Sequence, residues 1–354
     1  MATGDIRVGT IRRLDPPTAD EARRANVPFL IVQLHDDSTG KLDMAAPHAF
    51  ALAEILEELH RDNRPVYLEI NRDTGVIQQI LLPRVVEVTG IANEAVGDKR
   101  EIGLRRSCTK SFIRTTNPNY EALLSAINKA RATYAAVLVT EAIDGGEILD
   151  VRLTTSPPVC APVVVASAPP TPPAAIGPVE VRLAFAIVRE ASCAGRHPSH
   201  NCIPFLYPDN GCWARAHAMC RMLISAGFTP NKIWLNGDLR VDTPNCPTCV
   251  VSWDFHVAPT LLVDHGSGAE LYVLDPSLFH HPVPQATWIE VQHDPSAEIH
   301  YTDASIYYRD QDADVLETDP HFVCTKNDLI SFRLLLALRS ASSGPPPYAN
   351  CLCS

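Results

Sequence analysis

From residue 212 onward, apolar side chains recur three and four positions apart. Trp213, Ala216, Cys220, Leu223 and Ile224 form one stripe that stops at Gly227, the period of a helix with one buried face. Asp209 and Asn210 precede it as capping residues and Gly211 as a tight entry, so Cys212 falls at the helix's exposed first position. Residues 250–263 are rich in Val, Trp, Phe and Leu, Asp264-His-Gly-Ser-Gly268 is a turn, and residues 269–275 alternate before Pro276; this predicts a hairpin. A turn centred on Gly266 pairs residue 256 with residue 276 and brings Asp275 beside His256, within a residue of register. Pro259 interrupts the first strand and predicts a bulge or a sheet edge. Trp253 and Phe255 fall on the face opposite His256, where core packing is expected.

The upstream pattern is also α+β. Residues 6–14 and 28–35 read as strands, and 46–62 as a helix with Leu52, Ile55, Leu56 and Leu59 on one face. Residues 66–70 and 76–80 form a hairpin around Asn71-Arg-Asp-Thr-Gly75, followed by a strand at 85–91 and a helix at 119–134. Nothing here has catalytic spacing, and Glu57, Glu58, Arg61 and Asp62 read as solvated faces. Prolines accumulate between Thr154 and Pro178, a composition that favours an extended spacer. The expected organisation is an α+β accessory domain at residues 1–140, a Pro-rich linker at 141–178, a catalytic domain at 179–340 and a flexible tail at 341–354. A chain of 354 residues, 46% hydrophobic, fits two domains.

The candidate chemistry lies in the second of these. A helix N-terminus offers unpaired N–H groups and a partial positive charge, which favour a thiolate. Cys212, His256 and Asp275 then supply a thiol, an imidazole and a carboxylate in chain order. Each is ordinary alone; together they follow the layout of papain-like and transglutaminase-like thiol enzymes. The expected fold is therefore α+β, with a papain/transglutaminase-like catalytic domain in which a helix-start Cys packs on an antiparallel sheet, preceded by a small α+β domain. His217 lies five residues along the helix from Cys212, poorly placed to act as the base, and reads as structural. A net charge of −11 argues against nucleic acid or an anionic membrane as partner. No phosphate loop or dinucleotide fingerprint appears, and neither a cofactor nor a metal is expected.

The run Phe205-Leu-Tyr-Pro-Asp-Asn-Gly-Cys-Trp-Ala-Arg-Ala-His-Ala-Met219 resembles the nucleophile motif of the bacterial protein-glutaminases, the protein glutamine deamidases. Further similar motifs follow in order: Asn236-Gly-Asp-Leu239, the segment from Cys246 to Cys249, Val251-Ser-Trp-Asp-Phe-His-Val-Ala258, Asp275-Pro-Ser-Leu-Phe279, Ile306-Tyr-Tyr-Arg309 and Cys324-Thr-Lys326. The resemblance spans residues 180–335. It implies that Cys212, His256 and Asp275 are the catalytic triad, that Cys193 and Cys202 form a disulfide, and that the substrate is protein or peptide with exposed glutamine. Trp213, where the family usually has another aromatic, and Trp253, which matches a family aromatic, are candidate substrate contacts. The same triad would also serve a transglutaminase or a cysteine protease, and a disulfide-stapled binding module is the non-enzymatic alternative.

A weaker likeness links residues 28–90 to the family's pro-region, which implies intramolecular inhibition by residues 1–140, with the Pro-rich stretch as a cleavable tether. An unrelated accessory domain is the alternative. Cys246-Pro-Thr-Cys249 reads as disulfide-forming rather than as half of a zinc site, since no second pair completes four ligands. Eleven cysteines and the family resemblance suggest secretion, whereas Met1-Ala-Thr-Gly-Asp-Ile-Arg7 lacks the apolar core of a signal peptide.

Overall fold

The computed structural model describes residues 4–143, 145–154, 160–166, 169–193, 201–246, 250–311 and 315–344. It opens with β1 (Asp5–Asp15), α1 (Ala19–Ala25), β2 (Phe29–Leu34), β3 (Thr39–Asp43), α2 (Ala49–Arg61), β4 (Pro65–Ile70) and β5 (Ile77–Leu81). The strands form one antiparallel sheet in the order β3-β2-β1-β4-β5. Helix α2 buries Ala53, Ile55, Leu56 and Leu59 in the same core as Leu30, Val32, Val66 and Leu68. Its charged face is less open than expected: Glu58 is buried and pairs with Arg61, and Glu57 accepts the Ala19 N–H at 3.1 Å at the start of α1.

The chain continues through β6 (Arg84–Val86), β7 (Val88–Ile91), β8 (Lys99–Leu104), β9 (Ser111–Arg114), α3 (Tyr120–Thr133), β10 (Val137–Glu141) and β11 (Ile148–Leu153). These make two three-stranded sheets, β11-β10-β6 and β7-β8-β9, with Leu123, Ile127 and Ala130 of α3 in the core they share. The single strand expected over 85–91 is thus two. Val86 pairs with Val137 and Val88 with Leu104, so the chain changes sheets at Glu87.

The remaining elements are β12 (Val163–Val165), α4 (Pro178–Glu190), α5 (Cys212–Ser225), β13 (Asn231–Asp242), β14 (Val250–Asp264), β15 (Ala269–Val273), β16 (Val283–Pro284), α6 (Gln285–Glu290), β17 (Glu298–Asp303), β18 (Ile306–Arg309), β19 (Leu316–Thr318) and α7 (Val323–Ser343). Their main sheet is antiparallel in the order β16-β15-β14-β13-β17, with α5 buried against its centre through Trp213, Ala216 and Leu223. Ile224, read as part of the same stripe, is 55% exposed.

Pro259 marks neither a bulge nor an edge, because β14 runs through it in mid-sheet, opposite Lys232. In an antiparallel strand a residue's N and C=O point to the same side. Pro259 turns its carbonyl toward Leu274, beyond the last β14/β15 pair at Thr260 and Val273. Its missing donor therefore falls where that ladder has already ended.

The span read as a Pro-rich linker is partly built into the fold. Strand β11 lies inside it, Cys160 is bonded to Cys324, and β12 pairs with β19. Ile176 exchanges backbone hydrogen bonds of 2.9 Å with Leu262 and Asp264. The expected tail boundary also moves, since α7 continues to Ser343; the rest of the tail, residues 345–354, lies outside the described residues.

Helix α7 is apolar on two faces. Leu329, Phe332 and Leu336 join the core around α5, whereas Leu334, Ala337 and Leu338 complete the core of the N-terminal sheet. A helix apolar all round is a buried helix, and this one is shared by two bodies.

Candidate active site

Gly211 sits at the head of α5 with φ 90, and a Cβ there would meet the Phe332 ring at 2.5 Å. Only glycine fits such a turn without strain. Contrary to expectation, Asp209 and Asn210 do not cap the helix. Asp209 pairs with Arg339, while Asn210 Oδ1 accepts the Gly211 N–H at 2.9 Å and the Cys108 N–H at 3.1 Å. These side chains hold neighbouring segments and leave the first-turn N–H groups of α5 to other acceptors.

Cys212 does stand at the helix start, but only 1% exposed rather than open. It is covered by the segment between β8 and β9, residues 105–110, from the N-terminal half. Thr109 bridges Trp253 in antiparallel fashion, and the Asp254 N–H donates to the Cys108 carbonyl at 2.8 Å. Asn210 Nδ2 donates to Ser107 Oγ at 2.8 Å, and Thr109 Oγ1 donates to the Asp209 carbonyl. The covering segment therefore runs as a short edge strand beside β14, and the Cys108 side chain enters the site.

The two thiols lie close enough for each to shift the acidity of the other. Burial pushes the Cys212 thiol well above its usual value, and Cys108 adds to the rise. For Cys108, burial opposes ionisation, yet the Cys212 thiol, the charge of Arg215 and the N–H groups of Cys212 and Gly211 leave it more acidic than usual. In this covered state Cys108 is the more acidic of the two thiols.

His256 and Asp275 come together. His256 Nε2 lies 2.7 Å from Asp275 Oδ2, both residues almost fully buried. The observed hairpin pairs Thr260 with Val273 and Asp264 with Ala269, half a residue from the expected centre. Asp275 also accepts from Trp288 Nε1 at 2.9 Å, from the Ser277 N–H at 3.1 Å and from Ser277 Oγ. Burial would raise its pKa, but His256, Ser277 and Trp288 together hold it at about 2. A carboxylate accepts only, so Nε2 carries the proton, and His256 Nδ1 is left buried without a hydrogen-bond partner. The next residue, Val257, directs its N–H to the Cys212 sulfur.

The imidazole is clamped between two indoles, Trp253 at 4.5 Å and Trp288 at 5.4 Å between centroids. Trp253 is thus not on the face opposite His256. From Asn236 to Leu239, β13 carries one residue more than Trp253 to Phe255 opposite it, and such a bulge increases local twist. Trp213 is buried among Phe255, Tyr308 and Phe332 and donates to Asp328 at 2.8 Å. It supports the helix from behind. His217 stacks on Phe322 and lies 3.0 Å from Lys232, with burial and then Lys232 lowering its pKa to about 2.

Cys193 and Cys202 are joined by a disulfide. Cys246 is buried with Arg339 Nη2 at 3.5 Å from its sulfur, and Cys249 lies outside the described residues. Sequence reasoning missed Cys108, Ser277 and Trp288, and gave Asn210 a capping role in place of its contacts with the covering segment. Ser277 had a local signal in Asp275-Pro-Ser277, where an Asp side chain accepts from the backbone two residues on.

The arrangement defines a buried thiol, imidazole and carboxylate on an α+β scaffold of antiparallel sheets. Residues 181–292, which contain all three, match a family model described as Glutaminase. No curated protein matches the chain. Among solved structures it is similar to pro-protein-glutaminase, at 23% identity over 76% of this chain and 99% of that chain, with a TM-score of 0.53. A mutant of pro-protein-glutaminase matches at 23% identity over 76% of this chain and 98% of that one, with a TM-score of 0.51. A share of 76% is too large to lie within residues 179–340 alone, so the likeness of fold extends into the N-terminal half. Residues 181–292 are thus similar to the Glutaminase family, and the fold as a whole is similar to that of pro-protein-glutaminase.

Proposed function

We propose that this protein is a protein glutamine deamidase made in a covered form, with Cys212 as nucleophile, His256 as acid and base, and Asp275 as the group that orients and charges the imidazole. The observation that carries this reading is the polarised histidine. Its Nε2 is committed to Asp275 and its Nδ1 is buried and unpartnered, beside a residue whose N–H reaches the Cys212 sulfur. An imidazole so placed takes the thiol proton through Nδ1.

The Cys212 sulfur then attacks the carbon of a glutamine carboxamide, and the amide oxygen takes up negative charge. The Cys212 N–H, which lowers the pKa of Cys108 in the covered state, then serves as the donor to the oxyanion, while the Gly211 N–H stays with Asn210 Oδ1 at 2.9 Å. His256 returns the proton to the leaving nitrogen, and the C–N bond breaks to release ammonia. Water activated by the same imidazole cleaves the thioester to glutamate. A substrate strand would follow the path of residues 107–109, with its backbone read by Asn210 and Asp254 and its glutamine side chain in the place of Cys108.

The covered thiol supports assigning residues 1–140 to an inhibitory pro-domain. In the papain-like reading of the fold, α5 is the nucleophile helix and β14 carries the base. The triad also fits a transglutaminase or a protease, since these differ only in which amide enters and which nucleophile resolves the acyl-enzyme.

Limited proteolysis of the full chain, followed by incubation with a glutamine-rich protein, separates these outcomes. Ammonia without cross-links or fragments is expected from the nicked protein, and at least about 10³-fold less from Cys212→Ser. Undiminished ammonia release by Cys212→Ser would remove Cys212 as nucleophile, and cross-links or fragments as the main product would replace deamidation.

A further inference from the structure

The covering segment does more than fill the site: it brings a second sulfur to the first. Cys108 is 1% exposed, as is Cys212. Its backbone is pinned on both sides, by Asn210 Oδ1 at 3.1 Å and by the Asp254 N–H at 2.8 Å. Its sulfur lies 3.3 Å from Asn210 Oδ1 and 3.8 Å from the Asp209 carbonyl, on the turn that leads into Cys212, near enough for the two thiols to affect each other's acidity. Inhibition by steric cover alone needs only a side chain that fills the space. A thiol facing a thiol adds a reaction.

We propose that Cys108 and Cys212 are an oxidation-sensitive pair, joined by a peroxide into a disulfide that fastens the covering segment over the site and consumes the nucleophile. This rests on the reading of Cys212 as nucleophile only for its consequence, not for the bond itself. The chain already holds two disulfides among its described residues, Cys160 with Cys324 and Cys193 with Cys202.

The chemistry balances with hydrogen peroxide as oxidant. The Cys108 thiolate attacks one peroxide oxygen, the O–O bond breaks, and hydroxide leaves to become water, with sulfenic acid on Cys108. The Cys212 sulfur then attacks the sulfenic sulfur, the S–S bond forms, the S–O bond breaks, and a second water leaves with the Cys212 proton. Two thiols and one peroxide give one disulfide and two waters; the sulfurs lose two electrons and the peroxide gains them. The acidic partner is Cys108, stabilised by the N–H groups at the head of α5, so the first step falls on the covering residue and spares Cys212 from direct oxidation. Cys220, on the same helix, lies near Lys232 and has a thiol pushed up to about 11 by burial; it is the internal control.

The test uses the full-length protein. It is treated with hydrogen peroxide, unfolded, alkylated, digested without reductant and mapped by mass spectrometry. A cross-linked peptide joining Cys108 to Cys212 is expected, with loss of the alkylated forms of both and retention of alkylated Cys220. The link should vanish after dithiothreitol and be absent from Cys108→Ser. In wild type cut by limited proteolysis after peroxide treatment, Cys212 should react with a maleimide only once reductant is added, whereas in Cys108→Ser no reductant should be needed. Oxidation of Cys212 to sulfinic acid, or full alkylation of both thiols after peroxide, would overturn the proposal. A link in a protein that releases no ammonia after cutting and reduction would keep the disulfide and sink the deamidase; ammonia release without any link would do the reverse.

Discussion

The N-terminal half meets the rest of the chain in two ways, and the contacts are built on opposite physical principles. One is the covering segment over Cys212, held by backbone hydrogen bonds and by ion pairs: Arg105 and Arg106 reach Glu317 at 2.6 and 3.2 Å, and Lys110 reaches Asp238. The other is α7, which places Leu334, Ala337 and Leu338 in the N-terminal core, joined at its edge by Arg64 to Asn327 at 2.7 Å and to Ser331 at 2.9 Å. The polar contact is specific and reversible, because water can replace each hydrogen bond it loses. The apolar contact is strong and indifferent to sequence detail, because its energy scales with area withdrawn from water. The difference teaches that cutting a tether would not by itself open the site: the docked helix keeps the covering segment at high effective concentration.

The largest expected effect therefore comes from the apolar side. Leu338→Ala removes a side chain that is 1% exposed and should cost the docking about 2–5 kcal/mol. Each 1.4 kcal/mol is about tenfold in an opening equilibrium, so maleimide modification of Cys212 in the intact chain should rise by at least about tenfold. The rate is read by mass spectrometry at that residue. An unchanged rate would mean that residues 105–110 hold the site closed without help from α7.

How much of this was legible beforehand depends on sequence distance. The α5 stripe and the His256 to Asp275 pairing are local, one set by helical period and the other by a turn of known register, and both were readable. The Trp253 stack was not, because it depends on an extra residue in the partner strand at Gly237 and Asp238. The cover over Cys212 joins residues 100 and more apart, and no local pattern records such a pairing. The same holds for Cys160 with Cys324, separated by 164 residues. Helix α7 did carry a signal in Leu329-Ile-Ser-Phe-Arg-Leu-Leu-Leu-Ala-Leu338, apolar on every side, which is the mark of a helix with two cores to fill.

A smaller effect should follow from the polar side. Glu317 is 2% exposed and takes both Arg105 and Arg106. Glu317→Gln keeps the shape but takes from Arg106 its carboxylate and leaves Arg105 only the longer pairs with Asp310 at 3.6 Å and Glu87 at 3.8 Å. Breaking a buried pair costs about 3–5 kcal/mol; since both arginines are about a fifth exposed, solvent should reduce that to about 1–3 kcal/mol. Cys212 modification should rise less than in Leu338→Ala, and the double variant should exceed either if the two contacts act independently. A double variant no faster than Leu338→Ala would show that the polar contact depends on the docked helix.

The smallest effect is expected at the rim, where Lys110 pairs with Asp238, which is 55% exposed, and lies 3.9 Å from Asp254. An exposed pair contributes little, so Lys110→Gln should change the Cys212 rate by about twofold at most, and added salt should abolish even that difference. The sign of its pH dependence follows from Asp238, whose pKa the Lys110 hydrogen bond lowers in the fold. A carboxylate with a lowered folded value contributes fully above its unfolded value and loses that contribution as pH falls through the folded one. The wild type should therefore keep its small advantage over Lys110→Gln at neutral pH and lose it below about pH 3.8, the ordinary aspartate value. A difference that persisted in high salt or grew toward acid would mean that Lys110 holds the cover by packing its aliphatic stem rather than by charge.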